Sequence, residues 1–388
     1  MTAKRMLALV AAAQFLGMTL WFSATAAAPR IAQHFGLSPV ETAWLTIAVQ
    51  GGFVAGTLGS ALLNLADVVN ARRLFAVGCL AGAVANASVV FGGSATTIIP
   101  LRFMTGVALA CVYPPGMKIA AGWFKERRGT ALGILVGALS LGSAFPHLLS
   151  WSASTVPWQS LMLASSAMAL LGGAIVWLVV ADGPHVTASA PFDSRAVGTV
   201  IRDRGARLAT LGYLGHMWEL YAMWAWIPSF AAAWLSQARN GAAAAGSMIA
   251  FIAIGSGAVG CVSAGIWADR FGKARIARAA LMSSAVCCAA AGLLFGGPLW
   301  VLVVLAMIWG FAVVADSAQF SALVTEHSPK THVGTALTLQ TCAGFLLTMV
   351  SMQLLPVLAA RHGWQWVFMV LVPGPVLGAW AMGRLRSI

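Results

Sequence analysis

The sequence predicts an all-α membrane protein with twelve membrane-crossing helices, arranged as two pseudo-symmetric six-helix bundles with both termini cytoplasmic. Three observations carry this expectation. Of 388 residues, 60% are hydrophobic and only 9% are charged; the apolar residues fall into twelve long runs; and the basic residues gather on one side of those runs. A soluble domain carries about a quarter charged residues, so a water-exposed globule of this size is excluded. A disordered chain, a basic nucleic-acid-binding module and a secreted disulfide scaffold are excluded with it. About 230 apolar residues at about 20 per crossing allow eleven or twelve spans.

The runs lie at about 6–28, 43–65, 74–94, 97–121, 130–151, 158–181, 208–235, 243–267, 276–297, 299–324, 333–357 and 364–383. Met1–Arg5 is short and basic, but the apolar run after it continues past signal-peptide length, so it reads as the first span. Strands are excluded because an open sheet cannot cross lipid and the runs are too long for barrel strands. With a cytoplasmic N-terminus, nineteen of the 23 Lys and Arg residues sit at cytoplasmic ends or loops, Arg30, Arg239 and Arg361 lie outside, and Arg102 remains within a span. This is a strong positive-inside bias. The net charge of +13 therefore reports topology and not an anionic partner. Of the ten acids, only Glu219 and Asp316 remain within spans. The six cysteines fall in apolar runs without metal-ligand spacing and read as small buried apolar residues.

The polar segment 183–207 separates a first bundle, 1–182, from a second, 208–388. The halves echo each other. Gly129-Thr-Ala-Leu132 returns as Gly334-Thr-Ala-Leu337, Asp67 as Asp269, and Trp158-Gln159 as Trp364-Gln365, each roughly 205 residues on. Six spans separate the members of each pair, so the halves share one orientation. Parallel repeats of this kind describe a transporter architecture with a midplane site between halves.

The loop Gly265-Ile-Trp-Ala-Asp269-Arg270-Phe-Gly272-Lys273-Ala-Arg275 resembles the G-x-x-x-D-R-x-G-R/K motif of the major facilitator superfamily. The first copy, Leu63-Asn-Leu-Ala-Asp67-Val-Val-Asn70-Ala-Arg72-Arg73, keeps the Asp and the basic pair but lacks both glycines. Arg102-Phe-Met-Thr-Gly106 looks like the family's helix 4 R-x-x-x-G signature. The resemblance implies the twelve-helix fold of that family. It also implies a cytoplasmic latch made by Asp67, Arg72, Gly265, Asp269, Arg270, Gly272 and Lys273. Gly272 suits a tight turn, and the bases suit water and anionic headgroups. The membrane arginines of nitrate- and monocarboxylate-type members are missing here. The antiporter signature of helix 5 is not met by Gly137-Ala-Leu-Ser-Leu-Gly142-Ser-Ala-Phe-Pro146-His147.

Three intramembrane charges remain. Tyr213, His216, Glu219, Met223 and Trp226 are expected on or near one face of the seventh helix. An ionised carboxylate at that depth costs several kcal/mol unless paired, so Glu219 is expected to be paired or protonated, with His216 a turn away to relay or pair. Asp316 and Gln319 stand three apart in the tenth helix. Glu219, Asp316 and His216 are the expected proton-coupling residues. Arg102 is expected to compensate one of the acids, or to anchor a solute carboxylate. Gln14, Gln50, His147, Tyr213, Trp226, Gln319 and Gln340 are the expected solute-lining residues. Tyr113-Pro114-Pro115 should bend the fourth helix, and Pro228 should bend or end the seventh.

These features point to a secondary active transporter for a small organic solute, coupled to protons and working by alternating access. It is expected to be a monomer in the inner membrane of a bacterium, with the lipid bilayer as its surroundings, no nucleic-acid partner, no cofactor and no metal. Drug efflux by proton antiport and uptake of an organic anion are the rival directions. A membrane enzyme lacks a metal-binding motif such as H-E-x-x-H, and ATP hydrolysis lacks a phosphate-binding glycine loop. A sensor with a transporter-like body would need a signalling domain or a long tail.

Overall fold

A computed structural model describes residues 2–124, 128–152, 155–185, 193–236 and 242–385. Lys125, Glu126, Arg127, Arg239 and Arg386 lie outside the described residues, as does the side chain of Asp67. Every regular element among the described residues is helical, and ten helices are long and apolar enough to cross a membrane. The chain folds as two compact units, Met1–Phe192 and Asp193–Ile388.

The first unit begins with α1 (Ala3–Met18), α2 (Ser23–Ala26) and α3 (Ala28–Phe35). One uninterrupted span was expected over 6–28. Instead the helix stops after 16 residues and turns through Thr19–Phe22, where Ser23 Oγ donates to the Leu20 carbonyl (2.9 Å). α4 (Pro39–Leu62) starts sharply because Pro39 sits in its first turn and Ser38 and Glu41 form a reciprocal capping box. α5 (Leu65–Val68) and α6 (Ala71–Ser88) follow; Asn70 caps α6 by accepting from the Arg72 amide (2.9 Å). The fourth span is two helices, α7 (Ala95–Leu109) and α8 (Tyr113–Trp123), with the Pro114-Pro115 pair in the first turn of α8. α9 (Arg128–Ser152) and α10 (Trp158–Leu178) complete the unit. An apolar cluster of this unit includes Ala27, Ile31, Leu45, Ile98, Trp158 and Met162.

The second unit starts inside the segment expected to be a polar connection. A 3-10 turn at Ser194–Ala196, then α11 (Val197–Arg202) and the first residues of α12 (Arg204–Ser236), occupy it. Ala196 and Val200 are buried, and the Asp193 amide donates to the Thr335 hydroxyl (2.8 Å). Burial of these few apolar residues overrides the polar average of the segment. α12 runs unbroken for 33 residues through Pro228, so the proline does not end it. It is long enough to span but carries four Trp and two Tyr together with His216 and Glu219, which make it less apolar than the other long helices. α13 (Ala242–Phe271), α14 (Lys273–Leu293), α15 (Leu299–Ala315), α16 (Ser317–His327), α17 (Val333–His362) and α18 (Pro373–Leu385) follow. Phe230, Trp234, Phe295, Phe368 and Trp309 form a chain of edge-on and tilted rings with centroids 4.9–5.8 Å apart.

The two units repeat one packing device. A side chain on Gly106 of α7 would collide with the Val49 carbonyl of α4, and one on Gly310 of α15 would collide with the Ala253 carbonyl of α13. Both glycines let two helix backbones touch, and they stand roughly 204 residues apart, in register with the internal repeat.

Candidate functional site

Each unit buries a polar hub. In the first unit the hub is Arg102 on α7, fully buried. Its Nε donates to the Leu45 carbonyl (3.0 Å) and Nη2 to the Trp21 carbonyl (2.8 Å); Nη1 donates to Asn86 Oδ1 (2.7 Å) and, more loosely, to Ser23 Oγ (3.3 Å). Both terminal nitrogens also reach the Leu20 carbonyl (3.3 Å). Leu20 and Trp21 lie in the turn where α1 breaks, so the guanidinium serves carbonyls left without helical partners. Asn86 also accepts from Ser23 (2.7 Å) and donates to the Met162 carbonyl and Ser166 (3.0 Å each), tying α2, α6, α7 and α10 together. Arg102 was expected to compensate a buried acid or to anchor a solute carboxylate; within its own unit its partners are neutral. Its donors are filled by neutral acceptors of its own unit, because a rigid fork of five N–H groups satisfies carbonyls as well as carboxylates.

In the second unit the hub is Glu219 on α12. Its Oε1 accepts from Ser284 Oγ (2.5 Å) and Cys288 Sγ (3.2 Å) on α14, and from Trp309 Nε1 (2.5 Å) on α15. Cys288, read from sequence as apolar filler, is thus a donor; all six cysteines are free thiols. His216 faces elsewhere. Its Nδ1 lies 2.8 Å from Asp316 Oδ1, and both side chains are 1% exposed. Asp316 occupies the single-residue joint between α15 and α16. Tyr213 and Phe320 flank the His216 ring, at centroid distances of 6.1 and 5.5 Å.

The expected common face of α12 is therefore divided. Glu219 meets α14 and α15, His216 meets the α15–α16 joint, and Tyr213 and Trp226 meet α17: Gly344 abuts the Tyr213 ring, and Trp226 Nε1 donates to the Met352 carbonyl (2.8 Å). Each three-residue step falls roughly 60° short of a full turn, so a series of such steps winds around the helix.

Several expected lining residues are buried polar groups. Among the described residues, both amide atoms of Gln14, both ring nitrogens of His147, Nε2 of His216, Oδ1 of Asp316 and Nε2 of Gln340 have no hydrogen-bond partner. Gln14 and His216 hold equivalent repeat positions. Gln50 on α4 and Gln319, in the first turn of α16, are also buried.

At the loop motif, Gly272 adopts φ +88° between α13 and α14, a conformation that favours glycine. Gly265 is buried, while Asp269 and Arg270 are exposed in the last turn of α13. Lys273 pairs with Glu326 of α16. Arg72 makes a two-pronged pair with Asp182 (3.0 Å each) and donates to the Val180 carbonyl (2.8 Å), strapping the segment after α10 to the start of α6. A cleft of about 310 Å³ is lined by Gly272, Lys273, Arg275, Leu323 and Glu326, among others.

Sequence reasoning found the charges but missed Ser23, Asn86, Ser284 and Trp309 as their partners. Asn86 and Cys288 stand roughly 202 residues apart. Reading the repeat for polar residues within spans would have exposed both.

Among curated relatives, the chain is 28% identical over 179 residues to the "MFS-type transporter pytF" of Aspergillus terreus, covering 45% of this chain and 58% of that one. It is 27% identical over 187 residues to the "Hexuronate transporter" of Escherichia coli K12 (46% and 41% covered), and 28% over 180 residues to the "Galacturonate transporter" of Dickeya chrysanthemi (45% and 50% covered). The chain thus spans about half the length of the relatives it matches. The family profile described as Major Facilitator Superfamily matches residues 10–237 and again 220–387. With that double match laid over two like-built helical units, the chain is an integral membrane protein that belongs to the Major Facilitator Superfamily.

Proposed function

We propose that this protein is a secondary active transporter of a small organic solute, driven by protons and working by alternating access, with twelve spans and both termini in the cytoplasm. α1 with its broken continuation and the aromatic-rich α12 supply the two spans beyond the ten most apolar helices. The observation that carries the proton assignment is the buried His216–Asp316 contact at a helix joint. A carboxyl group there is expensive unless paired, and a joint lets its environment change when the helix halves move. Glu219, held through one oxygen by three donors, acts as an anchor in this scheme. The relatives named for sugar acids support uptake of hydroxylated organic solutes ahead of drug efflux.

The test is solute flux in proteoliposomes with and without an imposed pH gradient. The gradient should accelerate wild-type flux at least tenfold. Asp316→Asn should abolish that acceleration while exchange of solute between the two sides persists. Gradient-independent flux in the wild type would overturn proton coupling.

A further inference from the structure

The chain enters the second unit along a folded strap that ends where α12 begins. Ala196 and Val200 stand one turn apart and are buried, α11 packs against α17, and the Asp193 amide donates to the Thr335 hydroxyl (2.8 Å). The strap and the first turn of α12 are basic on the outside. Arg195, Arg202, Arg204 and Arg207 are all exposed, and none of them makes an ion pair among the described residues. The two acids beside them, Asp193 and Asp203, accept from the backbone amides of Arg195 (2.9 Å) and Ala206 (2.7 Å). Ile201 stands between the arginines and is 57% exposed. The strap of the first unit, after α10, differs: there Arg72 is spent on Asp182.

We propose that this surface binds the headgroups of anionic lipids in the membrane beside α12. A positive-inside bias places cations in loops of any shape. Here the burial of Ala196 and Val200 and the hydrogen bond to Thr335 hold them on an ordered surface, immediately before a helix that we read as the seventh span. Clusters of about four to eight Lys or Arg at such a place attract anionic lipid, at about fivefold in partitioning for each cation. An unpaired guanidinium presents a fork of N–H donors that matches phosphate oxygens. Ile201 adds an apolar contact at the acyl boundary, as in helices that lie in the membrane surface. A zwitterionic lipid carries an ammonium that offsets its phosphate, so the cations select a headgroup of net negative charge. A soluble phosphate would meet the same guanidinium groups without the contact to Ile201. The proposal concerns neither solute nor coupling.

The experiment titrates the purified full chain in neutral detergent with phosphatidylglycerol, phosphatidylcholine or glycerol 3-phosphate and reads binding as thermal shift. Phosphatidylglycerol should bind about tenfold more tightly than phosphatidylcholine, and less so at high salt. Arg195→Gln combined with Arg202→Gln should lower that preference at least about fivefold, with the melting temperature of the lipid-free protein unchanged, because both side chains are exposed. Arg195→Lys combined with Arg202→Lys keeps the charge and should keep most of the preference. Lys4→Gln combined with Arg5→Gln removes the same charge from the exposed start of α1 and should change it less than about twofold. Equal binding of the two lipids, equal losses in the two Gln double variants, loss of the preference in the Lys variant, or glycerol 3-phosphate binding as tightly as phosphatidylglycerol would overturn the proposal. Because no flux is measured, failure of the transport reading stays distinguishable from failure of this one.

Discussion

The first helix of unit one breaks at Thr19–Phe22, whereas its counterpart in unit two, α12, continues for 33 residues. The difference follows the hydrogen-bonding character of the group each hub buries. Arg102 is a cation with many donors, and a broken helix offers it the Leu20 and Trp21 carbonyls. Glu219 is an acceptor and is served by side-chain donors from neighbouring helices, so α12 has no need to open. One duplicated framework has thus accommodated a buried many-donor group and a buried acceptor by changing the backbone in one half and the side chains in the other.

The comparison can be broken most severely at Arg102. Arg102→Met takes the guanidinium donors from the Leu45 and Trp21 carbonyls and leaves the Leu20 carbonyl and Asn86 Oδ1 with Ser23 alone; at about 1–3 kcal/mol for each stranded acceptor it should cost more than any other substitution here, read as a lower melting temperature in detergent. Arg102→Lys should recover only part of this, since an ammonium cannot reproduce the guanidinium fork. Recovery to wild-type stability with Lys would show that charge alone, and not the fork, holds the break.

Glu219→Leu comes next. It strands the Ser284, Cys288 and Trp309 donors and should cost about 2–3 kcal/mol. Glu219→Gln, which keeps an acceptor oxygen, should cost clearly less and should leave the response to a pH gradient intact. A proton-uncoupled Glu219→Gln would move the coupling site from Asp316 to the hub.

Gly106→Ala and Gly310→Ala probe what the units share. Each forces a carbon into a facing carbonyl and should cost about 1–3 kcal/mol, by similar amounts in the two halves. Unequal losses would mean that one helix pair yields where the other does not.

The smallest effect belongs to the exposed pairs. Arg72→Ala should cost at most about 1 kcal/mol and should matter less at high salt. Lys273→Ala, which removes a single-pronged contact, should cost less still. Thermal melts at low and high ionic strength check both.

How much was legible in the sequence depends on the kind of residue. Runs of apolar residues located α4, α10, α13 and α14 to within a few positions, because lipid enforces composition over about 20 residues at a time, whereas the single run expected over 299–324 is divided between α15 and α16 at Asp316. The joint in the fourth span was foreseeable from Pro114-Pro115, since proline acts locally. The break after Met18 was not, because no proline or glycine marks Thr19–Phe22; its cause, Arg102, lies far along the chain. For the same reason the sequence identified Glu219, Asp316, His216 and Arg102 as unusual yet did not give their partners: depth in the membrane follows from position in a span, but a partner is set by how helices rotate against each other.

The sequence by itself determined a membrane-embedded helical repeat, its family and its short set of intramembrane charges, since each follows from local composition or from similarity between segments. Only the tertiary structure decided that Arg102 braces a broken helix, that Glu219 faces α14 and α15, and that His216 meets Asp316. Those outcomes depend on the rotation and close approach of helices far apart in sequence, which no local pattern encodes.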